Sequence, residues 1–251
     1  MIFKRFGANL RAQNWFAIGI EIGIVIVGVF VGNQVSNWNE ARIEKAETVK
    51  MMRGIEPELQ NLIVNFRTIT DYYRVTRDYA ETAFAGWRGD PQVSDRAFVI
   101  AAYQASQNTL SFVNNASWSD IFGGDRLRTL DDQELREQLS VLMTTDFAAM
   151  EREVFSDYRE NVRKVIPEDI QDTIRAQCGD QRFASGYTRL PPTCSLNLPD
   201  ARFATAARDL RAHPELVGEM RWHFAAAASY VENLDNLSNI ARRVINRAGK
   251  V

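Results

Sequence analysis

The sequence predicts an all-α protein: one N-terminal transmembrane helix continuing into a stalk, then an extracytoplasmic antiparallel helical bundle. Three observations predict it. An unbroken apolar run lies near the N-terminus, apolar residues recur at steps of three and four through most of the remainder, and no alternating stretch is long enough for a convincing strand. Of 251 residues, 45% are hydrophobic and 25% charged, the proportions of a folded chain with one or two compact cores. Lys and Arg number 30 against 32 Asp and Glu, which leaves no basic excess to hold a phosphate backbone, so nucleic acid is not expected as a main partner. The expected division is a cytoplasmic N-terminus (1–14), a transmembrane helix (15–35), a juxtamembrane helical stalk (36–53) and a periplasmic helical bundle (54–251) with a long loop at 178–199.

From Trp15 to Gly32 the chain reads WFAIGIEIGIVIVGVFVG, 18 residues with one ionisable side chain, Glu21. That length meets the threshold for a spanning helix. Trp15 and Trp38 bracket the run as interfacial anchors, and at about 1.5 Å per residue they stand roughly 35 Å apart, near the two edges of a bilayer core. Lys4, Arg5 and Arg11 before the run also suit a cleaved secretory signal. Signal cores are shorter, however, and no small-x-small cleavage pair follows. Three basic residues precede the run and three follow it (Arg42, Lys45 and Lys50), so the positive-inside count is a tie. A cytoplasmic N-terminus is favoured by charges closer to the apolar edge and by the only two cysteines, Cys178 and Cys194. A cysteine pair closing a Gly- and Pro-containing loop suits an oxidising compartment such as the periplasm, the alternative being two reduced, unrelated thiols.

Within the run, Gly19 and Gly23 form one small-xxx-small pair and Gly28 and Gly32 another, on nearly opposite sides of the helix. Glu21, Val25, Gly28 and Gly32 follow spacings of +4, +7 and +11, which sets the carboxylate on the stripe of the second pair. Such a stripe is expected to face protein: the transmembrane helices of a larger membrane complex or of another copy, with membrane lipid around the rest. Glu21 reads either as a partner contact or as a hydrated group near the boundary. Proton transfer is the weakest reading, because the helix holds no second titratable group.

The stretch AIGIEIGIVIVGVFVGNQVSNWNEAR resembles the amino-terminal signature of an uncharacterised bacterial family of single-pass membrane proteins, with an Ala-Ile-Gly-Glu start, a mid-span Gly and a closing Gln-x-Asn-Asn-Trp-Asn-Glu. Glu21, Gly28, Gln34, Asn37, Trp38, Asn39 and Glu40 fall on matching positions. Ile20, Asn33 and Ser36 depart from the pattern. A second patch, WSDIFGGDRLRTLDDQELREQL, is similar to a later pattern of that family. The resemblance covers about a quarter of the chain and implies a bacterial inner-membrane protein with a helical soluble part, with no activity or catalytic residue to carry over.

Beyond the span, charged residues continue a helical pattern as the stalk, and Gly54 with Pro57 predicts a kink or restart. Ile55, Leu59, Leu62, Phe66, Ile69, Tyr73, Thr76, Ala80, Ala83 and Trp87 then form an apolar seam. Gly89, Asp90 and Pro91 predict a turn, and Ser94 an N-cap for a helix to about Gln107. A short helix from Ser117 is expected to stop at Gly123 and Gly124. Asp131 with Glu134 resembles a capping box opening one helix to Pro167, along Leu135, Leu139, Leu142, Phe147, Met150, Val154, Tyr158 and Val162. Pro167 begins another piece, Asp200 caps the next, and Pro214 opens the last long helix along Val217, Met220, Phe224, Ala227, Val231 and Leu234.

No phosphate loop, dinucleotide fingerprint, zinc-protease motif or nucleophile elbow occurs. His213 and His223 read as structural, and the run Glu151 to Glu160 with Arg152 and Arg159 as a solvated face. The expectation is therefore a noncatalytic accessory or scaffold subunit, or a homo-oligomer, without cofactor or metal. The alternatives are a periplasmic ligand-binding sensor acting through a partner protein, and an enzyme without a recognisable motif.

Overall fold

The apolar run and its polar continuation form one helix, α1 (Trp15–Trp87), with Pro57 inside it. This corrects the expected kink or restart at Gly54 and Pro57. A proline withholds one N–H from the ladder and costs about 3 kcal/mol. Ile55, Leu59 and Leu62 flank it fully or almost fully buried, and each such side chain contributes about 1.5–3 kcal/mol, which outweighs the loss. The structure is a computed structural model that describes residues 15–109, 127, 130–183 and 186–248. The segment 1–14, the short helix expected from Ser117 and most of the second resembling patch lie outside the described residues. The chain divides into two compact units, Met1–Arg53 and Gly54–Val251.

The described residues are mostly helical. After α1 come α2 (Asp95–Gln104), α3 (Gln133–Thr144), α4 (Phe147–Arg152), α5 (Asp157–Val165), α6 (Glu168–Cys178), α7 (Asp200–Arg211) and α8 (Glu215–Ala248). α1 ends at a turn in which Gly89 adopts φ +71° while its N–H donates to the Gly86 carbonyl, a left-handed position that a side chain would strain. The Ser94 hydroxyl then accepts from the Ala97 N–H and starts α2.

The single helix expected between Asp131 and Pro167 is three helices. Asp132, not Asp131, is the first cap, accepting from the Leu135 N–H. Thr144 and Thr145 turn their hydroxyls back to the Ser140 and Val141 carbonyls, and Asp146 caps α4 through the Ala149 N–H. Short polar side chains that bond to nearby backbone compete with helix continuation, and here they break it. Pro167 and Pro199 occupy the cap positions of α6 and α7, so Asp200 is the first helical residue of α7 and not its cap.

Within the Gly54–Val251 unit, α2 packs on α7 and α5, and α8 packs on α3 and α5. The α1 seam is buried from Ile55 to Ala83, with Trp87 half-buried. Its aromatics meet the rest of the unit edge-on: Tyr73 on Tyr230 at 5.9 Å, and Trp87 on Phe98 at 5.0 Å while its indole N–H donates to the Leu210 carbonyl. A Cβ built at Gly86 would lie 2.2 Å from the Phe98 ring, so α1 and α2 approach as only glycine allows. Beside this contact Arg211 donates to the Gly86 carbonyl and to Asp95, stacking over Phe98. At the far end of α8, Arg247 pairs with Asp132 and Glu134 at the start of α3.

Candidate functional site: the glycine stripe and the disulfide-closed loop

The membrane-directed part of α1 is helical throughout residues 15–35 and shows its apolar side chains outward. Val29 is 69% and Phe30 63% exposed, in a window of mean hydropathy 1.9 that is long and apolar enough to cross a membrane. A Cβ at Gly19, Gly23, Gly28 or Gly32 would meet nothing within 4 Å, so no described residue covers either glycine pair. Glu21 is half-buried, and its Oε2 has no hydrogen-bond partner among the described residues. Trp15 and Trp38 are exposed, and the Arg42 guanidinium lies 5.7 Å from the Trp38 ring centre.

Cys178 and Cys194 stand at disulfide-bonding distance, with Cα atoms 5.4 Å apart. The loop they close is more ordered than the irregular segment expected from its sequence. Two short strands, β1 (Gln181–Arg182) and β2 (Thr188–Arg189), pair antiparallel, the only strands among the described residues. Leu190 is fully buried, and the Tyr79 hydroxyl donates to the Pro191 carbonyl at 2.9 Å. Past the disulfide, Arg96 donates to the Leu196 and Leu198 carbonyls and to the Asp200 carboxylate while stacking on Phe203. At Gly179 a Cβ would lie 2.3 Å from the Arg175 carbonyl oxygen, so the chain leaves α6 through a gap only glycine fits.

A polar cluster that sequence reasoning missed adjoins the disulfide. Arg159 and Arg163, one turn apart on α5, converge on Gln107: Arg159 donates to its Oε1 at 2.9 Å and to the Ser106 carbonyl at 2.7 Å, and Arg163 to the same Oε1 at 3.0 Å. Arg163 also lies over the Tyr103 ring. Arg159 is thus drawn to the carbonyl end of α2 and is not part of the solvated face expected of it; a cation suits the negative end of a helix. Its neighbour Lys164 does form the i,i+4 pair, with Glu160 at 2.5 Å. Burial, reinforced by the Arg159 charge, pulls the Arg163 pKa below its usual value. The Asp180 carboxylate accepts from the Tyr72 hydroxyl at 2.8 Å, and burial pushes its pKa up against that hydrogen bond and the nearby arginines. Burial likewise raises the Tyr72 phenol. The spacing of Arg159 and Arg163 was visible in the sequence, but only the fold shows that they turn inward.

His223 is buried, its Nδ1 3.1 Å from Ser156 Oγ, and burial pushes its pKa down to about 4. His213 is exposed and pairs with Glu215 at 2.7 Å. Among the described residues no group of three or more His, Cys, Asp or Glu side chains is placed to hold a metal ion. Compared with known proteins, the chain matches no family model, no curated protein and no solved structure, so the resemblance of its N-terminal third rests on the quoted residues alone.

Proposed function

We propose that this chain is a noncatalytic single-pass protein of a bacterial inner membrane, with its N-terminus cytoplasmic and an antiparallel helical bundle in the periplasm. Its membrane helix docks on transmembrane helices of a larger complex or of another copy, as an accessory or scaffold subunit. The observation that carries this reading is the pair of glycine faces with nothing against them, on a helix whose remaining surface is apolar and exposed. Helices associate in lipid chiefly through close packing, which small residues permit. The inaccessible Glu21 oxygen adds a group whose polar partner would have to come from outside the described chain.

Gly28→Ile or Gly32→Ile inserts a branched side chain where backbones would meet, so each is expected to lower the amount of co-purifying partner severalfold, with the circular dichroism of the helices unchanged. Glu21→Gln is expected to do less harm if the acid is a neutral hydrogen-bonding group and more if its charge pairs with an Arg or Lys. Wild-type association in both glycine variants assigns the stripe to lipid and removes the reading. The orientation has its own test. A reporter enzyme active only in the periplasm, fused after Val251, is expected to be active; activity of a cytoplasm-only reporter there reverses the topology.

A further inference from the structure

A groove of about 420 Å³ runs between α1 and α8 in the Gly54–Val251 unit. Its floor is apolar, formed by Tyr73, Phe224, Ala227 and Val231, and the small Ala227 and Ala228 leave it open. The Thr70 hydroxyl beside it is buried without a hydrogen-bond partner among the described residues. The rims carry opposite charge, segregated by helix: Arg74 and Arg77 on α1, Glu232 and Asp235 on α8, all four exposed. No ion pair crosses the groove among the described residues. Arg74 pairs along its own helix with Asp71, Arg77 reaches Glu81 only at 4.0 Å, and both pairs are solvent-exposed and so weak.

A two-helix face with one positive and one negative edge is complementary to itself under one symmetry operation. A twofold axis running along the helices lays α8 of one copy over α1 of the other at the same level, so positive edge meets negative edge twice. A twofold axis across the helices would instead set like charges together. We propose that this groove docks a second copy of the chain through such a parallel twofold interface, in which Arg74 and Arg77 of each copy pair with Glu232 and Asp235 of the other. An interface of this kind is isologous, as in most homodimers. α8 has 34 residues, about 50 Å of helix, and two such helices side by side present roughly 1,000 Å², enough for a standard interface of about 800 Å² per partner. The inference does not rest on the membrane stripe, which lies in the other unit.

The test uses the full chain with Gly28→Ile and Gly32→Ile, so that association through the membrane stripe does not contribute. Two differently tagged copies are co-expressed, solubilised in mild detergent and purified through one tag. The unreversed chain is expected to bring down its other-tagged copy. Arg74→Glu with Arg77→Glu makes both edges negative, and Glu232→Arg with Asp235→Arg makes both positive, so each double variant should lose about 10-fold or more of its self-association. Co-expressed with one another, the all-negative and all-positive variants should associate as well as the unreversed chain does with itself, because both edge contacts are then complementary. A misfolded variant cannot produce that recovery. A monomeric unreversed chain, self-association untouched by charge reversal, or no recovery in the mixed pair each overturns the interface. None of these outcomes bears on whether Gly28 and Gly32 touch a partner in an otherwise unaltered chain.

Discussion

Replacing Cys178 and Cys194 together by alanine is expected to destabilise the Gly54–Val251 unit by about 3 kcal/mol, the loop-entropy value for a loop of this size. For a unit of this length that is a fall in Tm of about 6–12 °C. The reason lies mainly in the unfolded chain, where the bridge withholds conformations that the reduced chain regains. The folded side contributes as well: Gln104 donates to the Cys178 carbonyl and Asp180 accepts from Tyr72, so freedom at the bridge loosens contacts to α2 and α1. Thermal unfolding of the full chain in detergent, with and without reductant, measures the effect, and reductant should leave the double variant unchanged. Quantitative thiol labelling of native protein without reduction, together with an unshifted Tm, would show that the sulfurs are not bonded.

Acid is expected to weaken the same unit through His223. Its folded pKa of about 4 lies below the unfolded value near 6.5, so the neutral imidazole belongs to the folded state. The stability this contributes is complete above pH 6.5 and is lost as pH falls through about 4, amounting to about 3 kcal/mol. Burial is the main cause, and the positive charge of Arg159 acts in the same direction. His223→Gln keeps a polar group beside Ser156 but cannot take up the proton. The variant should therefore show a shallower loss of Tm between pH 7 and pH 4 than the unaltered chain, whatever its stability at neutral pH. Asp180, raised by burial, titrates in both proteins and cancels in the comparison. Parallel pH profiles would assign the acid sensitivity to other groups.

The helices that carry long seams were legible because burial on a packed helix repeats at a period the sequence displays. Ile55 through Ala83 and Met220 through Leu234 largely keep that period in the structure, with Val231 half-buried. The breaks were less legible, because Thr145 and Asp146 are compatible with either a continuing helix or a cap until tertiary packing selects one. Pro57 shows the converse: a residue that usually ends helices is carried through by the buried neighbours on its seam. Arg159 looked like a solvated charge because a sequence displays charge and spacing but not the carbonyls of a helix fifty residues earlier. In the candidate site, the glycines and the cysteines could be named in advance from spacing. The groove between α1 and α8 could not, since its two rims come from segments some 150 residues apart in the chain.

The pairing of α2 with α7, and of the α1 seam with α8, also sets an order of events during synthesis. Arg96 waits for Asp200, Tyr73 for Tyr230 and Asp132 for Arg247, so the contacts that close the core lie about 100 to 160 residues apart. Contacts this distant are slow to form, and until they do the apolar seam of α1 leaves the ribosome before the helices that cover it exist. The nascent chain therefore presents Leu59, Phe66 and Tyr73 uncovered through most of translation and translocation. A chain built this way depends on holding chaperones in proportion to how slowly its last 40 residues arrive.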